Sequence, residues 1–157
     1  MSEPSIIHST FVIERSFPKP PETVFSLFTD PVKKRRWFAE GDNHEVEEFV
    51  SESNVGGVER LRYRFKEGTP FAGLQVTNDG RIQEIVQNRS IVTASTMAFG
   101  EKRFSASLVT VELLPTETGT DVICTFQGAF FEGADGPQIR EMGWMKLFDN
   151  LGKALEA

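Results

Sequence analysis

Three ionisable residues stand where alternation with apolar neighbours aims side chains inward: Arg15 beside Phe11, Ile13 and Phe17, Glu59 beside Leu61 and Tyr63, and Glu84 beside Ile82. A buried guanidinium needs a carboxylate or several carbonyls, because an isolated buried charge is prohibitive. Glu59 or Glu84 is therefore expected to pair with Arg15, unless Arg15 lies at its strand end and reaches water. Such a pair is read first as structural. Its chemical uses would be to anchor a ligand or, with the phenol of Tyr63, to move protons. The other instruments of catalysis lack partners. His8 and His44 belong to no base–nucleophile pairing and are expected to be solvated. One cysteine, Cys124, and no His-x-x-x-His or Cys-x-x-Cys spacing give a metal site no support. Cys124 alternates with Val122 and Phe126, so it reads as an inert packing thiol. Gly56-Gly57 reads as a turn, not a phosphate cradle. No catalytic residue, metal or cofactor is assigned.

A cavity is the stronger lead. By parity Tyr63, Phe65, Met97, Phe99, Phe126 and Phe130 face inward, with Trp144 and Phe148 opposite them on a helix. Thr93, Ser95, Ser105 and Ser107 are interleaved on the same faces. Small polar groups inside an apolar shell leave room and orient a ligand, as in small-molecule pockets. The competing reading is that the 14 Phe fill the space. A small apolar or aromatic molecule is the expected partner, bound by a monomer or homodimer.

The stretch TDPVKKRRWF raises the question of nucleic acid. The net charge is −6, and removing Lys33, Lys34, Arg35 and Arg36 leaves −10. With a pI near 5.0 the chain lacks the basic balance of a phosphate-backbone binder. Four successive helical residues also point in four directions. The expectation is a helix junction whose cations face solvent and whose aromatic end, Trp37 and Phe38, turns inward. The strand residues Arg60, Arg62 and Arg64 form a cationic outer face, a possible docking surface for a protein.

At 157 residues, 39% hydrophobic and 25% charged, the chain is expected to form one soluble domain, 1–157. It shows no secretory signal, no spanning apolar run and one cysteine, so a cytoplasmic, non-membrane protein is expected. Period-2 patterns predict strands at Ile7–Phe17, Val46–Val50, Val58–Lys66, Phe71–Thr77, Arg81–Val86, Ser90–Phe99, Phe104–Leu114 and Thr120–Phe130. Asn78-Asp79-Gly80 is read as a turn between two of them. Helical spacing predicts Glu22–Phe28, a short helix after Asp30-Pro31, and Gln138–Leu155. In the last, Trp144, Phe148, Leu151 and Leu155 make one apolar stripe.

The ordered set TDPVKKRRWF, NVGG, RLRYRF, GRIQEI, SLVTVELLP, GTDVICTFQGAF and GWMKLFDNLGKALE resembles the START-like, birch-pollen-allergen-like (SRPBCC) superfamily. Within it the chain is similar to the branch of the activator of heat-shock protein 90 ATPase C-terminal domain. The resemblance runs from about Phe11 to Leu155. It implies an α+β helix-grip fold: six or seven curved antiparallel strands wrapped on the long C-terminal helix, with two short helices after strand one. It implies a cavity between sheet and helix, with Trp37, Phe38 and the loop Glu67 to Gly73 at its mouth. Ligand carriage, polyketide cyclase or dehydratase chemistry, and chaperone-associated interaction all occur in the superfamily. Two departures weigh against particular roles. The co-chaperone's separate N-terminal domain has no counterpart before residue 1, and Phe126 stands where bacterial relatives are expected to carry an acid.

Overall fold

β-branched and aromatic residues alternate with polar ones from Ile7 to Phe17. This segment is strand β1 of the computed structural model, which describes residues 5–156. Prolines 18 and 20 follow it, and Pro21 opens α1 (Pro21–Thr29) where a missing N–H costs no helical bond. Asp30 ends α1 and caps α2 (Pro31–Lys34), its carboxylate accepting from the N–H of Val32 at 2.9 Å and of Lys33 at 3.3 Å. The chain then widens into a π-helical turn, Arg35–Ala39, closed by the Glu40 N–H donating to the Arg35 carbonyl at 3.0 Å. Such turns are rare and interrupt the α register.

Six more strands follow: β2 (His44–Ser51), β3 (Val58–Phe65), β4 (Gln75–Val86), β5 (Ser90–Phe99), β6 (Lys102–Pro115) and β7 (Thr120–Phe130). Helix α3 (Pro137–Glu156) completes the chain. The seven strands form one antiparallel sheet in the order β1-β7-β6-β5-β4-β3-β2, with β1 and β2 as its edges. This is the α+β helix-grip architecture that the sequence resemblance implied. Helix α3 packs on β1 and the π-turn. Phe148, Leu151 and Leu155 are buried in one core with Val122, Cys124 and Phe126, and the ring of Phe126 stacks on Phe11 at 4.7 Å.

Three expectations are corrected. Residues 71–74 are not strand, and Asn78-Asp79-Gly80 is no turn; all three lie inside the single strand β4. Gly80 serves close approach instead, since a Cβ built there would lie 2.8 Å from the Ser95 Cβ. Glu84 faces solvent, because a register shift between Ile82 and Glu84 breaks the alternation that aimed it inward. The stripe on α3 is longer than its apolar residues, for Arg140, one turn before Trp144, is also buried.

Leu151→Ala is expected to lower the unfolding free energy by about 2–5 kcal/mol. Met145→Ala, on the exposed side of the same helix, is expected to stay within about 0.5 kcal/mol. Urea unfolding of the two variants checks both.

Candidate functional site

The concave face of the sheet is not filled throughout. A cavity of about 70 Å³ lies between β3–β6 and the segment α1–α2–π-turn. One water needs roughly 10–15 Å³ on the same measure, so the hollow exceeds a packing defect several-fold. Phe28, Trp37, Phe38, Leu61, Ile91 and Val109 give it mainly apolar walls. From α3 only Trp144 reaches it, because Phe148, Leu151 and Leu155 are spent on the neighbouring core. The hollow therefore sits under the short helices more than under the long one.

A line of small residues runs in register across the sheet, and Ser95 from it lines the hollow. Glu59 pairs with Gly80, Gly80 with Ser95, Ser95 with Ser107, and Ser107 with Gly128. Ser95 and Ser107 satisfy each other, their hydroxyl oxygens 3.3 Å apart. At Gly128 a Cβ would lie 2.5 Å from the Phe126 ring and 3.2 Å from that of Phe130, so the missing side chain lets both rings lie down.

At the β3 end of this line stands the cavity's one ion pair. Lys34 Nζ donates to a Glu59 carboxylate oxygen at 3.1 Å, and the Ser51 hydroxyl donates to the other oxygen at 3.1 Å. The two side chains are 15% and 11% exposed, so they hold each other in a largely desolvated site. The ammonium also lies 4.9 Å from the centre of the Phe38 ring. Lys34 thus contradicts the expectation that all four cations of KKRR face solvent. The four directions of the helix separate them: Lys34 turns into the hollow, Arg35 bonds Glu40 at 3.1 Å, and Lys33 and Arg36 face an outer groove.

Trp37 is fixed by its indole N–H, which donates to the Leu27 carbonyl at 2.7 Å. Its ring meets Phe28 and Phe38 edge-on, at 5.1 and 5.6 Å. The wide π-turn leaves carbonyls to be met from outside. Asn150 donates to that of Trp37 at 3.5 Å, and a His44 ring nitrogen lies 2.6 Å from that of Ala39. His44 is thus a half-buried brace, its ring 4.6 Å from Tyr63, and not the solvated residue expected.

Of the residues expected around a ligand, the structure brings Trp37, Thr93, Ser95 and Trp144 to the cavity wall. Phe126 and Phe148 lie in the solid core, and Tyr63 and Phe65 join an aromatic row running to exposed Phe71. Met97 lies two register steps beyond Ser95, outside the wall. The loop from Glu67 to Gly73 does not border the hollow either. Arg15 pairs with neither Glu59 nor Glu84; it bonds Asp149 of α3 at 3.1 Å, in a partly exposed contact. The buried arginine is Arg140. Its Nε and one terminal nitrogen each donate to an Asp135 oxygen at 2.8 Å, and that terminal nitrogen also reaches the Ser105 hydroxyl at 3.0 Å. The rings of Phe104, Phe126 and Phe130 surround the guanidinium at 5.0–5.7 Å. Its position one turn upstream of Trp144 was a signal available in the sequence. Burial pushes the nearby Tyr63 phenol above its ordinary value, with Arg140 pulling the other way.

The arginine face of β3 is already neutralised. A register shift between Val46 and Glu48 brings Glu47 and Glu48 together opposite it. Arg64 bonds Glu47 at 3.1 Å, Arg60 bonds Asp79 at 3.2 Å, and Arg62 lies 3.8 Å from Glu47. Hydrogen bonds from Gln75 and Arg64 hold the Glu47 carboxyl below its usual value. Among the described residues no helix is long and apolar enough to cross a membrane.

Comparison places this geometry among known proteins. The family described as "activator of Hsp90 ATPase homolog 1-like protein" matches residues 18–156. The crystal structure of the Mll3558 protein from Rhizobium loti is similar at 42% identity over 96% of this chain and 99% of that one, with a TM-score of 0.82. A protein from Rhizobium leguminosarum is similar at 33% identity over 97% of each chain, with a TM-score of 0.83. An AHSA1 protein from Silicibacter pomeroyi, at 18% identity and a TM-score of 0.74 over 94% of this chain and 98% of that one, shares the fold. No curated protein matches.

Two outcomes are expected from this geometry. Asp135→Asn leaves Arg140 buried and uncompensated, at a cost of about 3–5 kcal/mol, and adding Arg140→Met recovers most of it; urea unfolding of the single and double variants measures this. Burial pushes the Cys124 thiol from 9.0 up to about 12. The native state keeps this proton longer than the unfolded chain, so the contribution is whole below pH 9.0 and is lost as pH rises to about 12. Cys124→Ala should flatten the fall in stability just above pH 9.0, leaving the part owed to Tyr63 above its ordinary 10.0.

Proposed function

The chain belongs to the activator of Hsp90 ATPase homolog 1-like family, and from that premise we propose that it reversibly binds a small, largely apolar molecule in the cavity beneath its short helices. The family's fold serves ligand binding in general. The observation that carries the reading is the hollow itself, with small Thr93 and Ser95 on its wall among rings that could have closed it. Apolar walls supply the affinity, and Thr93, Ser95, Asn78 and the Lys34–Glu59 pair supply a few orienting polar contacts. A ligand with one polar end placed toward Glu59 and an aromatic or aliphatic body against Trp37 and Trp144 fits this distribution.

The Lys34–Glu59 pair supports a second reading. A carboxylate held by an ammonium and a hydroxyl, facing an apolar hollow, can take a proton from a bound carbon acid and return it. That is the proton traffic of polyketide cyclase or dehydratase chemistry, where folding the substrate matters more than a strong nucleophile. Docking through Arg60, Arg62 and Arg64 has less support, since those side chains already face Glu47, Glu48 and Asp79.

Native mass spectrometry of protein purified from its own host is expected to show a co-purifying small molecule. Ser95→Phe, which fills the hollow, should remove it and should weaken the neutral dye N-phenylnaphthylamine by about tenfold or more in fluorescence titration. Unchanged dye affinity in a folded Ser95→Phe protein would sink the proposal. Glu59→Gln separates the two readings: a carrier retains the same molecule, whereas an enzyme accumulates an unconverted precursor of different mass.

A further inference from the structure

Helix α3 has a second stripe, opposite in character to the one in the core. Lys146, Asn150 and Lys153 recur at i, i+4 and i+7, and all three border an open groove outside Trp37. Lys19, at the β1–α1 connection, and Lys33 and Arg36 line the groove from the other elements. The groove has a volume of about 850 Å³, and Leu27, Ala154, Leu155 and Trp37 give it an apolar floor.

What sets this groove apart is that unpaired cations gather in it. Arg15, Lys34, Arg35, Arg140 and the β3 arginines each have a carboxylate within 4.0 Å. Among the described residues ten cations have none; five of them, Lys19, Lys33, Arg36, Lys146 and Lys153, share this groove, whereas Lys66, Arg81, Arg89, Lys102 and Arg103 do not border it. Two acids border the same groove: Glu40, already bonded to Arg35 at 3.1 Å, and Asp42. Removing these five cations from a net charge of −6 leaves −11 for the rest of the chain. An acidic protein thus keeps an unneutralised positive trough on one side.

The dimensions and surroundings restrict the occupant. Lys146 and Lys153 are seven residues apart, about 10 Å along the helix axis, so their extended side chains present two positive charges in series. An occupant with several negative charges in series, and apolar groups to meet the floor, matches this lining best. A flat anionic bilayer does not enter a trough, and a long polynucleotide would run its phosphates against the acidic remainder. We infer that this groove docks an acidic, partly apolar peptide segment of a partner protein. The rim cations then steer and register the segment, and the floor holds its apolar side chains. This site is separate from the cavity and does not depend on its having a ligand.

Fluorescence anisotropy with a labelled peptide of alternating Glu and Leu, about ten residues long to span the trough, tests the inference. Saturable binding that weakens with added salt is expected, with a loss of about tenfold or more in Lys146→Glu/Lys153→Glu. The control Lys66→Glu/Arg89→Glu changes net charge equally at exposed positions away from the groove, and should stay within about threefold of the parent. All four positions are exposed, and circular dichroism verifies folding. No saturable binding, or equal loss in both double variants, overturns the inference. Tighter binding of a single-stranded oligonucleotide or of phosphatidylserine vesicles than of the peptide overturns it as well, in favour of that partner.

Discussion

A long helix with one buried stripe can cover only part of a seven-stranded sheet. Helix α3 lies on the β1 side, where Phe148, Leu151 and Leu155 meet Val122, Cys124 and Phe126. The inner face of β3–β5 is left to the short segment between β1 and β2. That segment has few residues with which to fill so wide a surface, and beneath it the sheet carries glycine and serine where bulk would be needed. The hollow follows from this mismatch between cover and surface. Interiors otherwise close-pack, so a gap with aromatic walls persists only where the framework prevents its collapse. Here Trp37, a wall residue fixed by its bond to Leu27, braces one side.

Much of the frame was legible in the sequence, because periods of 2 and 3.6 are written directly in side-chain types. Strands Ile7–Phe17, Ser90–Phe99 and Thr120–Phe130 begin and end where alternation does. What escaped the pattern has a physical cause in each case. Gly80 looks like a turn residue, but its lack of a side chain is used for approach to Ser95 within a strand. Glu84 and Glu47 sit at register shifts, where parity no longer tells inside from outside. Arg140 belongs to the buried stripe by spacing, yet its charge excludes it from any list of apolar residues. Only a partner distant in sequence, Ser105, and one in the preceding loop, Asp135, make its burial tolerable.

The cations of the chain divide by what faces them. Those of β3 meet acids across the sheet, Lys34 meets Glu59 in the hollow, and Arg140 meets Asp135 in the core. Composition reports only the sum, an acidic protein, and conceals that one side is positive. The run KKRR is split between the hollow, a surface pair with Glu40 and the positive side, because consecutive helical residues diverge by about 100°. Its meaning lay in the partners of each residue and not in the run.

The π-turn at Arg35–Ala39 also bears on how this protein can change over time. It contains one residue more per hydrogen-bonded ring than an ordinary helical turn, and that surplus sets the bearing of Trp37 and Phe38. Deleting a single codon there would restore α spacing and swing the indole away from its acceptor on Leu27. Homologous chains that keep the aperture should therefore conserve the length of this stretch more strictly than its letters, while the surface bend between β3 and β4 is free to lengthen or shrink.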